Sequence, residues 1–178
     1  MAPEPWGGLS DSSPDASHEY PGRMTTTLHG MDELKQWLTK NNGQHIGYSD
    51  WHLVDQAQID LFAEATGDHQ WIHVDVERAA KSPFGSTIAH GYLTLSLIPP
   101  LLHDVYDVKN LNFAVNYGCN RVRFPAPVKV NSKVRLGCSL VSMEDVAGGI
   151  QSVVDITIEA EGEEKPRCVA QVVYRYYD

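Results

Sequence analysis

The sequence predicts an α+β domain in which an antiparallel sheet wraps around a long apolar helix. Three observations predict it. Residues 88–102 (IAHGYLTLSLIPPLL) are apolar on nearly every side, the pattern of a helix with no solvent face. Four segments rich in Val, Ile, Tyr and Phe follow, at 111–125, 128–143, 149–160 and 166–177. Short Gly- or Pro-bearing pieces separate them (Pro125-Ala126-Pro127, Ala147-Gly148-Gly149, Glu161-Gly162), which favours antiparallel neighbours.

The elements before that helix follow in order. Leu34, Trp37 and Leu38 recur at helical spacing in 31–40, Asp32 and Glu33 suit a positive first turn, and Asn42-Gly43 supplies a stop. Residues 45–53 (HIGYSDWHL) read as a strand and a fifth member of the sheet. Asp55 with Gln58 three residues later makes a capping-box arrangement; Ile59, Phe62 and Ala63 form the apolar stripe of the helix it opens, and Gly67 closes it. The stretch from Gly67 to Asp75 (GDHQWIHVD) follows neither apolar period. A short helix from Val76 to Lys81 comes next, with Asp75 as its N-cap. The helix of 88–102 meets Pro99-Pro100, which end or bend it, so it is too short to span a bilayer.

Composition bounds what the domain can bind. The 178 residues suffice for one domain of ordinary size. Residues 1–23 are rich in Pro, Gly and Ser and read as a flexible tail, with Met24 an alternative start, leaving 24–178 as the single folded domain. A formal net charge of −9 disfavours nucleic acid and anionic membranes as partners. Three cysteines without CxxC spacing argue against a disulfide framework and for a reducing compartment; the N-terminus has no secretory pattern, and a cytoplasmic location is expected.

Polar residues gather where the patterning breaks. Asp68 and His73 lie five residues apart just after a capped helix, and His90-Gly91 opens the apolar one. A carboxylate and an imidazole within reach of one water can take its proton and deliver a proton elsewhere. Trp71 and Ile72 would keep the pair partly dry. Gly91 exposes a backbone N–H at a helix mouth, a donor for a carbonyl oxygen gaining charge. Such a set suits chemistry beside a thioester carbonyl. Each residue also has a plainer reading: Asp68 as a helix-end residue, His73 as a core histidine, His90 as structural. His69 and His73 stand at i, i+4, but HQWIH lacks the glutamate of the zinc-protease motif. No metal site is expected.

The runs FAEATGDHQWIHVD and SPFGSTIAHGYLTLSL resemble the MaoC-like, (R)-specific enoyl-CoA hydratases of the hot-dog superfamily, in the branch that includes NodN-like proteins. The resemblance covers about residues 31–177. It implies a hot-dog fold and syn addition of water to a trans-2-enoyl-CoA, giving the (3R)-3-hydroxyacyl-CoA, and its reversal. Carried over by motif, Asp68 and His73 hold the water and are the catalytic pair. Gly91, with His90 beside it and Ser96 further along, forms the oxyanion and substrate-binding set. The family serine after the HG pair falls at Pro99 here, so Ser96 is the nearest substitute. The resemblance also implies a homodimer with its sites near the subunit interface. No cofactor is expected, coenzyme A being part of the acyl-thioester substrate. Arg121 and Arg123, alternating in phase on one strand, are the candidates for its phosphates. Three other readings stay open: a dehydratase of a carrier-bound or biosynthetic intermediate, a non-catalytic acyl-thioester-binding protein, and a thioesterase.

Overall fold

The computed structural model describes residues 25–178. The expected tail, and Met24 with it, lie outside the described residues. Fourteen elements follow in the order β1 (Thr26–His29), α1 (Gly30–Lys40), β2 (His45–Tyr48), β3 (His52–Val54), α2 (Gln56–Thr66), α3 (Trp71–Val74), α4 (Val76–Ala80), α5 (Gly91–Ser96), α6 (Ile98–Leu102), β4 (Tyr106–Lys109), β5 (Phe113–Arg123), β6 (Ser132–Val146), β7 (Gly149–Ala160) and β8 (Cys168–Tyr177).

The main sheet has six strands, ordered β2-β6-β7-β8-β5, with β3 also pairing β6, and every pair is antiparallel. Alternate residues of β6, β7 and β8 (Leu136, Ile156, Ala170 and their neighbours) are buried against the helices. Leu34 and Leu38 of α1, Ile59 of α2 and Ile98 of α6 complete one apolar core. Among the described residues no helix is long and apolar enough to cross a membrane.

The structure departs from the sequence reading in four places. The strand expected over 45–53 is two strands. Ser49 breaks it: buried, it accepts the Leu136 N–H on its hydroxyl at 2.8 Å and donates its own N–H to the Leu136 carbonyl. The apolar helix begins at Gly91 rather than 88, because Ile88 and Ala89 pair with 128–130 in extended form (Ala89 N–H to Val128 O, 2.8 Å). That helix is also two short pieces joined at Leu97. Pro99 and Pro100 have no N–H for the carbonyls four residues back, so the ladder is interrupted there. One flank of it is wet: Leu93 and Leu97 are buried, while Tyr92 is 70% exposed.

The third departure concerns strand order. Pro125-Ala126-Pro127 does not form a hairpin; β5 crosses to the far edge of the sheet and pairs β8, while β6 lies on the other side of β7. The fourth is a parallel pair of β1 with β4, a second small sheet that no periodicity announced.

Candidate active site

The site is assembled where three local structures meet. The first is the C-terminus of α2. Asp55 caps its start, its side chain accepting the Gln58 N–H at 2.9 Å. Gly67 ends it in the left-handed region (φ 76°), with its N–H on the Ala63 carbonyl. Asp68 is therefore the first residue after the helix. Its side chain is exposed and accepts a 3.4 Å hydrogen bond from the Gln70 N–H.

The second is α3, a single turn that carries His73. Residue 73 is only 6% exposed. Its Nδ1 donates to the Ile88 carbonyl at 2.7 Å, which leaves Nε2 as an acceptor. The Ile88 N–H in turn donates to Ile72 O, so the two segments are tied twice. Asp75 then caps α4 by accepting the Arg78 N–H at 2.9 Å, the scaffold role read from sequence.

The third is His90, 3% exposed, immediately before α5. Its Nε2 donates to the backbone carbonyl of Asp68 at 2.9 Å. Its Nδ1 is buried and meets no partner among the described residues. The His90 ring stacks on His73 with centroids 3.7 Å apart, and Phe62 packs against it in a tilted contact at 5.0 Å.

The result is one carboxylate on the solvent side of two buried imidazoles. The donor atoms of Asp68, His73 and His90 all lie within 4.8 Å of one another, close enough for one water to touch both the carboxylate and an imidazole. Burial is the largest influence on His73 and lowers its pKa. The Ile88 hydrogen bond opposes that, the neighbouring His90 adds to it, and Asp68 opposes it. Burial thus favours the neutral form of the imidazole. The same three groups are the one metal-ligand cluster among the described residues. Imidazole lone pairs lie in the ring plane, however, and stacked rings run them side by side. A shared ion would need one ring to turn.

The other sequence candidates are placed as follows. Gly91 is next to His90, and a Cβ there would come within 2.9 Å of Phe124 Cδ2, so the missing side chain lets Phe124 close over this end of α5. Ser96 lies about 7.5 Å further along the helix. Its hydroxyl donates to the Tyr92 carbonyl at 2.7 Å and makes no contact with Asp68 or His73. Arg121 and Arg123 are exposed on β5 in a regular stretch of register, so they share a face. Arg123 donates to the Val122 carbonyl, and neither arginine makes an ion pair among the described residues. His69 stands apart from His73, its Nδ1 3.7 Å from Glu64. All three cysteines are unpaired, and burial pushes the Cys138 thiol up to about 12 and Cys168 to about 11.

Sequence reasoning missed Gln56 and Thr87. The Gln56 amide donates to the His73 carbonyl at 2.8 Å, and its oxygen accepts from the buried Thr87 hydroxyl at 2.6 Å. Gln56 reads from sequence as an ordinary first-turn residue, and no local pattern marks its reach across to residue 87.

Comparison with known proteins places this geometry in a family. The MaoC like domain matches residues 38–162. The chain is 56% identical over 135 residues to 3-hydroxyacyl-thioester dehydratase Z of Mycobacterium tuberculosis, covering 75% of this chain and 89% of the relative. It is 47% identical over 132 residues to nodulation protein N of Rhizobium leguminosarum, covering 72% and 81%. Among solved structures, the unliganded R-hydratase PhaJ1 of Pseudomonas aeruginosa superposes with a TM-score of 0.62 at 20% identity, covering 77% of this chain and 82% of that one. The (R)-hydratase of A. caviae involved in PHA biosynthesis gives 0.62 at 20%, covering 74% and 95%. These two establish the hot-dog fold. With the domain match and the curated relatives, they make the chain a member of the MaoC-like dehydratase family, hydro-lyases built on the hot-dog fold.

Proposed function

We propose that this protein catalyses the reversible, (R)-specific addition of water to trans-2-enoyl thioesters, with Asp68 and His73 as the catalytic pair. One observation carries the reading: the exposed Asp68 carboxylate and a ring nitrogen of the buried His73, whose Nδ1 is given to the Ile88 carbonyl, converge within 4.8 Å. In hydration, the water oxygen bonds to C3 while one member of the pair takes a water proton. The thioester oxygen gains charge as the enolate forms, and the Gly91 N–H stabilises it. The proton taken from the water passes within the pair and is delivered to C2 on the same face, so the pair ends in its starting state, and dehydration reverses each step. The addition is redox-neutral, so no cofactor beyond the coenzyme A of the substrate is invoked.

The remaining roles follow from placement. Arg123 directly precedes Phe124, which packs on Gly91, and Arg121 shares its face of β5; without an ion pair among the described residues, these two cations are the candidates to receive coenzyme A phosphates. Among the described residues strand β5 is an open edge of eleven residues bearing exposed Phe113, Val115 and Tyr117, which supports a homodimer joined there. Three unpaired thiols suit the cytoplasm.

The test is crotonyl-CoA hydration followed at the enoyl absorbance, with chiral analysis of the product. Asp68→Asn and His73→Gln should each lose roughly 10²-fold or more in kcat. Near-native turnover in both variants overturns the mechanism. A carrier-protein thioester assayed in parallel separates a carrier-bound substrate from a coenzyme A ester, and thioester binding without product marks a non-catalytic binder.

A further inference from the structure

The hydrogen bonds around His73 close into a ring. The Gln56 Nε2 donates to the His73 carbonyl at 2.8 Å, and the His73 Nδ1 donates to the Ile88 carbonyl at 2.7 Å. Ile88 is joined by a peptide bond to Thr87, whose hydroxyl donates back to the Gln56 Oε1 at 2.6 Å. The ring therefore holds residue 73 at two points, its main chain and its imidazole. Thr87 is 1% exposed and is itself anchored, its carbonyl accepting the Val130 N–H at 3.0 Å.

The chemistry of these groups allows one arrangement. The Gln56 Nε2 also donates to Asp60, one turn along the same helix, at 2.8 Å. The two N–H donors of the amide thus meet two acceptors, and its oxygen meets one hydroxyl. Turning the amide over would set its oxygen against the His73 carbonyl and the Asp60 carboxylate. The Ile88 carbonyl likewise requires the proton of the neutral His73 ring on Nδ1, which leaves the lone pair on Nε2. Helix α2 contributes at both ends: Gln56, its first residue, grips His73, and Asp68 leaves just after the Gly67 that closes it.

We infer that Gln56 and Thr87 are positioning residues that fix the rotamer and the tautomer of His73 for its work with Asp68. The role rests on the hydratase reading, which supplies the use of the pair. Both residues act through the His73 main chain and the Ile88 carbonyl, not on the substrate. Without the clamp, the ring is free to turn or to move its proton to Nε2, and the pair no longer presents one geometry to the water. Misplacing a catalytic group by about 1 Å can cost on the order of 10²-fold in rate.

The experiment uses the full chain and three variants. Gln56→Met keeps the length of the side chain without its amide, Thr87→Val removes the hydroxyl, and Thr87→Ser restores it. In crotonyl-CoA hydration, Gln56→Met and Thr87→Val should lose roughly ten-fold or more in kcat, with KM within about two-fold of the wild type. Thr87→Ser should keep most of the wild-type kcat. Ring-nitrogen chemical shifts of His73 in the isotope-labelled, unliganded protein give a readout independent of turnover. The wild type and Thr87→Ser should show one neutral tautomer, protonated at Nδ1, and the other two variants should populate a second, protonated at Nε2. Native kcat in Gln56→Met and Thr87→Val, a loss carried by KM alone, or an unchanged tautomer in both overturns the inference. If Gln56→Met does not fold, the two Thr87 variants decide it by the same measurements. Hydration by the wild type with no tautomer change in the variants removes the positioning role alone. A tautomer change with no hydration by the wild type removes the reaction alone.

Discussion

The imidazole of His90 lies against that of His73 with centroids 3.7 Å apart and 24° between the ring planes. Each ring is fixed by a backbone carbonyl, Ile88 for His73 and Asp68 for His90. Each ring keeps its second nitrogen, Nε2 of His73 and Nδ1 of His90, off those carbonyls, and charging either ring places a cation against the other. His90 also holds the Asp68 backbone directly, so the acid and the imidazole of the proposed pair are positioned by one residue.

The first prediction concerns pH. The folded pKa of His73 lies below its ordinary value of 6.5, burial being the main cause. As pH falls through 6.5, the unfolded chain takes up a proton at this position and the folded chain does not. The associated stability is complete above 6.5, declines from there to the folded pKa, and is flat below it. Urea midpoints measured across this window should show the decline, and His73→Gln should remove that part of it. NMR titration of the ring adds a sign test. His90→Gln removes a lowering influence and should raise the His73 pKa, whereas Asp68→Asn removes a raising one and should lower it.

The second prediction concerns Gln56. It bridges the His73 carbonyl and the Thr87 hydroxyl, residues on either side of the site. Gln56→Leu strands a Thr87 hydroxyl that is 1% exposed, a loss of about 1–3 kcal/mol in urea unfolding. Thr87→Val in the same chain removes the stranded group. The double variant should be more stable than the sum of the single losses predicts, with a coupling of roughly 0.5–3 kcal/mol. Strict additivity would show that the bridge carries no stability.

Legibility in the sequence follows the range of the interaction. The α2 helix was readable because its signals are local: Asp55 caps within three residues and Gly67 stops the same helix. The long strands were readable from their length and composition. The break at Ser49 was not, since it depends on a hydroxyl bonded to Leu136, 87 residues away. Nor was the partner of β5, because the Pro125–Pro127 piece resembles a turn until Val128 and Val130 pair with Ala89 and Thr87. In the site, the spacing of Asp68 and His73 was visible. The stacking of His90 on His73 and the reach of Gln56 to Thr87 are products of tertiary packing and leave no local signal.

The third prediction tests the closure of Phe124 over Gly91. A Cβ on residue 91 would lie 2.9–3.1 Å from three atoms of the Phe124 ring. Gly91→Ala should therefore displace that ring or strain the start of α5, at a cost of about 1–3 kcal/mol. It should also lower kcat by moving the N–H proposed to stabilise the thioester oxygen. Phe124 is 40% exposed and its truncation leaves room. In a Phe124→Ala background, the further change Gly91→Ala should be nearly neutral for stability. An equal loss in both backgrounds would place the cause in the helix backbone rather than in the ring.

The fourth prediction concerns the open edge of the sheet. Among the described residues β5 is the last strand on its side of the sheet, and all of its residues except Val122 are exposed. An unpaired edge of this length, carrying Phe113 at 55% and Tyr117 at 58% exposure, invites a second strand. Antiparallel pairing of two copies across a two-fold axis satisfies both edges at once. Phe113→Lys with Val115→Lys introduces like charges that face each other across that axis. Sedimentation velocity should find the wild type as a dimer and the double variant as a monomer, with far-UV circular dichroism unchanged. Because the proposed site neighbours this edge through Phe124, hydration should fall with dissociation and recover at protein concentrations that restore the dimer. A fully active monomer would show that each chain carries a complete site.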